Sequence, residues 1–333
     1  VKNFYAHLGK ASPRLLFAGH VDVVPPGSLN EWRFPPFSAT LADERLYGRG
    51  AVDMKGGLAC FLAAVTHLLT TPTQKLKGSL CIALTADEEG PAINGTQKLL
   101  SWAKENKETW DYALVGEPSC EEILGDTIKV GRRGSLSAHL RIIGQQGHVA
   151  YPQQALNPLN SLAKIYQHLS APLDEGTENF SASHLELTSI DTQNTTTNII
   201  PHSCDMRFNI RYAPCWTQER LQKEIEQRIQ RAISPEISYQ LNWLAGNSEA
   251  FYCGASPLTP ILADAIKKIT TITPKLSTSG GTSDARFIKN YCPVIEFSLI
   301  NKEIHKINEN VEIKELNQLT KIYQLFLEKL LFH

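Results

Sequence analysis

The sequence predicts an α/β protein: a mainly parallel sheet flanked by helices, interrupted by an inserted α+β segment. Three observations predict it. In the first third, short apolar runs alternate with helix-period stretches. From about residue 133 to 245 the order becomes strand, helix, two strands, helix, strand. After residue 246 the first texture returns. The expected organisation is therefore 1–132 and 246–333 as two parts of one domain, with 133–245 as an insert.

Each element has a local reason. "RLLFAGHVDVV" is an apolar run that exits through the turn-rich "VPPGS", so it reads as a strand. "DMKGGLACFLAAVTHLLT" has helical length and spacing; its apolar part is too short to span a bilayer and carries His67, which makes it a core helix. "GSLCIALTA" is a strand, "NGTQKLLSWAKENK" an amphipathic helix, and "DYALVGEP" a strand stopped by Pro118. The insert opens on "GRRGSLSAHLRIIG". It then offers helices in "NPLNSLAKIYQHLS" and "TQERLQKEIEQRIQRAI", and strands in "SHLELTSI", "SCDMRFNIRY" and "EISYQLNWL". A helix in "TPILADAIKKIT", a strand in "CPVIEFSLI" and a last helix in "IKELNQLTKIYQLFLEKLLF" follow.

Composition narrows the function class. With 42% hydrophobic and 20% charged residues over 333 positions, the chain is ordinary globular material for one large or two moderate domains. Lys+Arg 33 against Asp+Glu 34 leaves a net charge of -1, so neither nucleic acid nor an anionic membrane is an expected partner. Seven cysteines without a CxxC pair suggest reduced, buried thiols rather than a disulfide framework. With no secretory signal pattern in view, the expected compartment is the cytoplasm.

The chemistry lies just past the strand ends. His20 and Asp22 follow "LLFAG", Asp53 sits in "GRGAVDMKGG", Glu88 and Glu89 follow "CIALTA", and Glu117 follows "YALVG". Ligands bind at that edge of open parallel sheets. Any one of these acids alone would be an ordinary solvated side chain. Together they would repel one another unless divalent cations met them. The arithmetic suits two ions about 3.5–4 Å apart bridged by one aspartate. Asp53 is the candidate bridge. His20 and Glu117 would complete one ion, and Glu89 with His305 the other. Imidazole plus carboxylate without thiolate suits Zn²⁺, with Co²⁺ or Mn²⁺ able to substitute. Asp22, two residues on, is expected to accept the distal N–H of His20 and fix its tautomer. Glu88, pointing away from Glu89, is left to move a proton.

In order along the chain, "GHVDVVPPG", "YGRGAVDMKGG", "TADEEGPAINGT", "VGEPS", "GRRGS", "GHVAYP", "GGTSDARFI" and "IHKINE" resemble the succinyl-diaminopimelate desuccinylases, within the clan of two-zinc aminoacylases and carboxypeptidases. The resemblance runs from about Asn3 to the C-terminus. It implies a zinc-peptidase-like catalytic domain with an inserted α+β dimerisation domain. It implies two Zn²⁺ per subunit on His20, Asp53, Glu89, Glu117 and His305, with Glu88 as general base and Asp22 orienting the metal histidine. It implies a cis bond between Asp53 and Met54, and a homodimer in which His148 reaches the partner's site to hold the oxyanion.

The substrate it implies, N-succinyl-LL-2,6-diaminopimelate, carries three carboxylates. Arg132, Arg211 and Arg286 match the residues that would bind them, with Ser135, Tyr151, Asn198, Gly281 and Thr282 as polar contacts. The pathway implied is lysine and diaminopimelate biosynthesis. Two positions depart from the pattern: Thr197 stands where an asparagine is expected, and Ser298 and Leu299 replace a glycine-proline pair. The family also has a helix and a strand ahead of "KNFYAHLGK", so an uncovered sheet edge and apolar surface are expected here. The rival readings are an acetylornithine deacetylase or carboxypeptidase of the same clan, and a metal-binding form without turnover.

Overall fold

The computed structural model describes residues 1–332 and divides into two compact units. The first comprises Val1–Gly131, Tyr252–Ser279 and Ser283–His333 apart from its last residue; the second comprises Arg132–Phe251 and Gly280–Thr282.

A seven-stranded mixed sheet organises the first unit. Its spatial order is Phe4–Leu8, Ser79–Thr85, Arg14–His20, Tyr112–Val115, Val294–Glu296, Thr127–Lys129 and Lys275–Ser277. Arg14–His20 runs parallel to both neighbours, because the apolar strands alternate with helices that cross back over the sheet. Phe4–Leu8 pairs antiparallel at the edge, with Phe4 and Leu8 exposed. Three-residue strands such as Thr127–Lys129 and Lys275–Ser277 went unread in the sequence, being too short to show a period.

The helices Lys55–Thr70 and Ile313–Leu331 cover one part of this sheet. Phe17 stacks on Phe61 with ring centroids 3.7 Å apart, and Tyr323 meets both rings edge-on. The Tyr323 hydroxyl, buried with them, donates to the Phe297 carbonyl at 2.6 Å. A Cβ at Gly56 would lie 2.1 Å from the Ala51 carbonyl, and one at Gly57 2.1 Å from Ser298 Oγ. Only glycine lets this helix begin so close to its neighbours, which places its N-terminus beside the strand ends.

The second unit is a four-stranded antiparallel sheet in the order His184–Asp191, Ser203–Tyr212, Gly134–Ile143, Ser238–Trp243. Every second residue of Ser203–Tyr212 is buried. Leu140, Met206, Phe208 and Ile210 belong to the same apolar cluster as Ile165, Leu169, Leu221, Ile225 and Ile229 of the helices Pro158–Leu169 and Gln218–Ala232. Asn157 and Thr217 cap those helices by accepting the amides of Leu159 and Arg220. The cysteines are free thiols and five are buried; Cys215 departs from the expectation because it is exposed on the turn before the second helix. Among the described residues, no helix is long and apolar enough to cross a membrane.

Candidate metal centre

Parallel pairing puts the carboxyl ends of Ser79–Thr85, Arg14–His20 and Tyr112–Val115 on one edge of the sheet. His20 ends the central strand. Glu88 and Glu89 follow the first of these strands and Glu117 the third, while Asp53 lies just ahead of helix Lys55–Thr70. His305, from a distant turn, completes the group.

Asp53 faces both histidines at once. Its Oδ1 is 3.2 Å from His20 Nε2 and its Oδ2 is 3.3 Å from His305 Nε2. Glu117 Oε1 lies 3.6 Å from His20 Nε2, and Glu89 Oε1 lies 2.9 Å from His305 Nε2. The donors thus fall into two triads, His20–Asp53–Glu117 and Asp53–Glu89–His305, sharing one aspartate. Glu88 belongs to neither of these two triads, but it forms a further close group with His20 and Glu89. The Asp53–Met54 peptide bond is cis.

Asp22 departs from its expected contact. The His20 Nδ1 partner is the Asp22 main-chain carbonyl at 3.0 Å, while the nearer carboxylate oxygen, Oδ1, is 3.7 Å away. A carbonyl can only accept, so Nδ1 carries a proton, and Nε2 is the ring nitrogen that faces Asp53 and Glu117 and would serve a metal ion there. The Asp22 carboxylate is used elsewhere: its Oδ2 accepts the amides of Glu88 and Glu89, each at 3.0 Å. The strand alternation that suggested the side chain places the residue correctly but the wrong atom.

The electrostatics of this cluster call for positive charge. Burial, then Asp53 as a neighbouring anion, pushes Glu117 well above the usual carboxylate range. Burial and then Asp284 raise Glu88 to about 8. Burial and Asp53 likewise raise Glu89. Against burial, hydrogen bonding to Asp53 and the charges of Glu117 and Glu88 raise His20 to about 11. Hydrogen bonding to Asp53 leads the causes that raise His305 to about 9. Asp53 alone goes the other way: against burial, its hydrogen bonds to His20 and His305 hold it down to about 2. Raised carboxylates crowded around raised imidazoles mark a concentration of negative charge that divalent cations would offset. Two nitrogen and three carboxylate ligands, arranged as two triads, fit a pair of divalent ions.

Two acids here lay outside the sequence reading. Asp284 is buried, accepts from Thr96 Oγ1 at 2.6 Å and is raised to about 6, chiefly by burial. Its place in "GGTSDAR", beside residues already singled out, was the available signal. Glu309, fully buried, accepts the amides of Gly50, Val52 and Asp53. It lies at the end of "IHKINE", where only His305 drew notice.

Of the remaining candidates, Arg286 belongs to the first unit, with its guanidinium 4.6 Å above the Phe287 ring. The others belong to the second. Arg132 is buried, with Gly280 close enough that a Cβ there would come within 2.5 Å of its Nη1. Ser135 is buried, and its Oγ accepts from Asn209. Arg211 is half-buried; burial and then Arg133 lower its pKa, and no carboxylate lies within ion-pair distance among the described residues. His148 is exposed on a two-residue strand, and its Nδ1 accepts the Ala150 amide at 3.0 Å, so its Nε2 is a donor. Tyr151, exposed, lies 5.8 Å ring to ring from His148. The Asn198 carbonyl accepts the Val149 amide. Gly281 and Thr282 group with this unit through Gly280–Thr282, although they are distant from it in sequence.

A mainly parallel sheet with two histidines and four acids at its carboxyl edge is the framework of a metal-dependent hydrolase. The chain belongs to peptidase family M20/M25/M40, whose sequence model matches residues 16–329. Solved structures of similar fold include an M20 family metallo-carboxypeptidase from Sulfolobus solfataricus, with TM-score 0.78 and 20% identity, covering 98% of this chain and 87% of that one. The aminopeptidase PepT of Bacillus cereus gives TM-score 0.75 and 20% identity over 98% and 84%. The YXEP protein of Bacillus subtilis, described as a dinuclear metal binding peptidase of the M20 family, gives 0.67 and 14% over 98% and 85%.

Proposed function

We propose that this chain is a dizinc amidohydrolase that cleaves N-succinyl-LL-2,6-diaminopimelate to succinate and LL-2,6-diaminopimelate, in a cytoplasmic route to lysine and diaminopimelate. The hydrolase class rests on one observation above all: the two oxygens of Asp53 face two different histidines. The substrate reading rests on the resemblance carried by "GRRGS", "HVAYP" and "IHKINE", and on Arg211, a half-buried cation with no carboxylate within ion-pair distance among the described residues. Such a guanidinium suits a substrate rich in carboxylates.

His20, Asp53, Glu117, Glu89 and His305 would hold the metal pair. When bound, the ions supply a water of lowered pKa and polarise the amide carbonyl. Glu88 is placed to take a proton from the attacking water as that water adds to the carbonyl carbon, and to deliver it to the departing nitrogen, so that one water is consumed and an acid and an amine are released. Asp22 holds the turn that presents Glu88. In this reading the chain is a homodimer through its second unit. His148 of one subunit, with its Nε2 proton available, donates to the oxyanion in the other. Arg132, Arg211 and Arg286 bind substrate carboxylates, with Ser135, Tyr151, Asn198, Gly281 and Thr282 as polar contacts.

The test is metal analysis together with hydrolysis of the succinylated substrate and of acetylornithine. Two ions per chain and strong preference for the succinylated substrate are expected. Preference for acetylornithine would favour another deacylase of the family. Two ions without hydrolysis of any N-acyl amino acid would favour a binding form.

A further inference from the structure

Arg49 and Glu309 form an ion pair at 2.7 Å with both side chains almost wholly buried. Desolvating two charges is costly, and such a pair is seldom more stable than apolar residues of the same volume. Its partners point to a different use. Glu309 Oε2 accepts from Arg49 Nη1 and the Gly50 amide, and Oε1 accepts from the amides of Val52 and Asp53 at 2.8 and 3.1 Å. The carboxylate thereby grips the main chain of the shared ligand. Arg49 reaches elsewhere: Nη1 donates to the Lys306 carbonyl at 3.1 Å, and Nη2 lies 3.4 Å from the His305 carbonyl and 3.5 Å from that of Pro25. Its guanidinium lies 5.3 Å from the ring of Trp32, whose own N–H binds the Pro26 carbonyl.

Three stretches of chain are therefore tied at one point: the segment leaving His20, the turn carrying Asp53, and the turn carrying His305. The third tie matters most. His305 has a side chain 48% exposed and a φ of 61°, in the left-handed region that non-glycine residues occupy only when held there. An exposed ligand in that state costs binding energy unless its main chain is fixed beforehand.

We propose that Arg49 and Glu309 are positioning residues for the metal pair, setting the geometry of Asp53 and His305 and hence the affinity for divalent ions. This rests on the metallohydrolase reading. The test is titration of the metal-free protein with Co²⁺ alone, following stepwise affinity and the visible absorption of the bound ion, with folding checked by circular dichroism. In Glu309→Gln, affinity for both equivalents should fall about 10–100-fold, since Asp53 serves both, and the spectrum should change. In Arg49→Lys, which keeps the charge but loses the fork, the loss should fall mainly on the ion held by His305 and Glu89. This second variant decides the matter if the first does not fold. Folded variants with unaltered Co²⁺ affinities and spectra would overturn the inference while leaving the metallohydrolase reading intact. Failure of the unaltered protein to take up two Co²⁺ would overturn both.

Discussion

The main-chain carbonyl of Asp22, not its carboxylate, lies 3.0 Å from Nδ1 of His20. The carboxylate instead receives the amides of Glu88 and Glu89. Asp22→Ala should therefore leave His20 oriented while loosening the turn that presents both glutamates. Turnover is expected to fall about 10–100-fold with two metal ions still bound. Loss of the ion at His20, seen by metal analysis, would mean that the carboxylate is needed to orient the ring after all.

Glu88 is close to His20 and Glu89 yet outside both triads. Replacing it with glutamine keeps the shape and removes the base. We expect kcat to fall by at least about 10²–10⁴-fold with metal stoichiometry unchanged. Near-normal turnover of Glu88→Gln would refute its role.

Removal of metal should destabilise the first unit. An ion that binds only the folded chain stabilises by about 2.7 kcal/mol when its concentration is 100 times Kd. Differential scanning calorimetry should show a lower Tm after chelation, restored by Zn²⁺ or Co²⁺. A Tm indifferent to both treatments would argue against binding at this donor set.

Arg211 should read out the substrate class. Arg211→Lys retains charge but cannot present two parallel donors. The expected result is a kcat/KM for the succinylated substrate lower by roughly tenfold or more, corresponding to about 1.4 kcal/mol per factor of ten. Acetylornithine hydrolysis should change less. Equal effects on the two substrates would remove the carboxylate-binding argument.

Asp174 gives a pH dependence away from the metal centre. Burial alone would raise its pKa, but donors outweigh it: the Ser183 hydroxyl and amide, the Gly176 amide and the Trp216 indole hold it below the ordinary aspartate value. A depressed pKa stabilises above the unfolded value of about 3.9 and is lost as pH falls through the folded one. Asp174→Asn should be destabilised relative to the native chain at pH 7, with the gap narrowing below about pH 4. Denaturant midpoints measured across pH 3–7 would show it, and a constant gap would rule it out.

What the sequence determined by itself is the alternation of strand and helix and the kind of residue at each strand end. Both are local. An apolar run such as "RLLFAGH" reports its own burial, and an acid after it reports an edge where solvent begins. His20, Asp53, Glu88, Glu89 and Glu117 are legible as candidates for that reason, and His305 as a histidine from far along the chain; the resemblance to known motifs implies the same roles for all six. Tertiary structure decided which atoms meet. It alone set the Asp22 carbonyl against His20, buried Asp284 beside Glu88, and paired Arg49 with Glu309 across 260 positions of chain. Those contacts depend on how distant segments pack. No local pattern encodes them, because hydrogen-bond reach is a few ångströms in space and carries no limit in sequence.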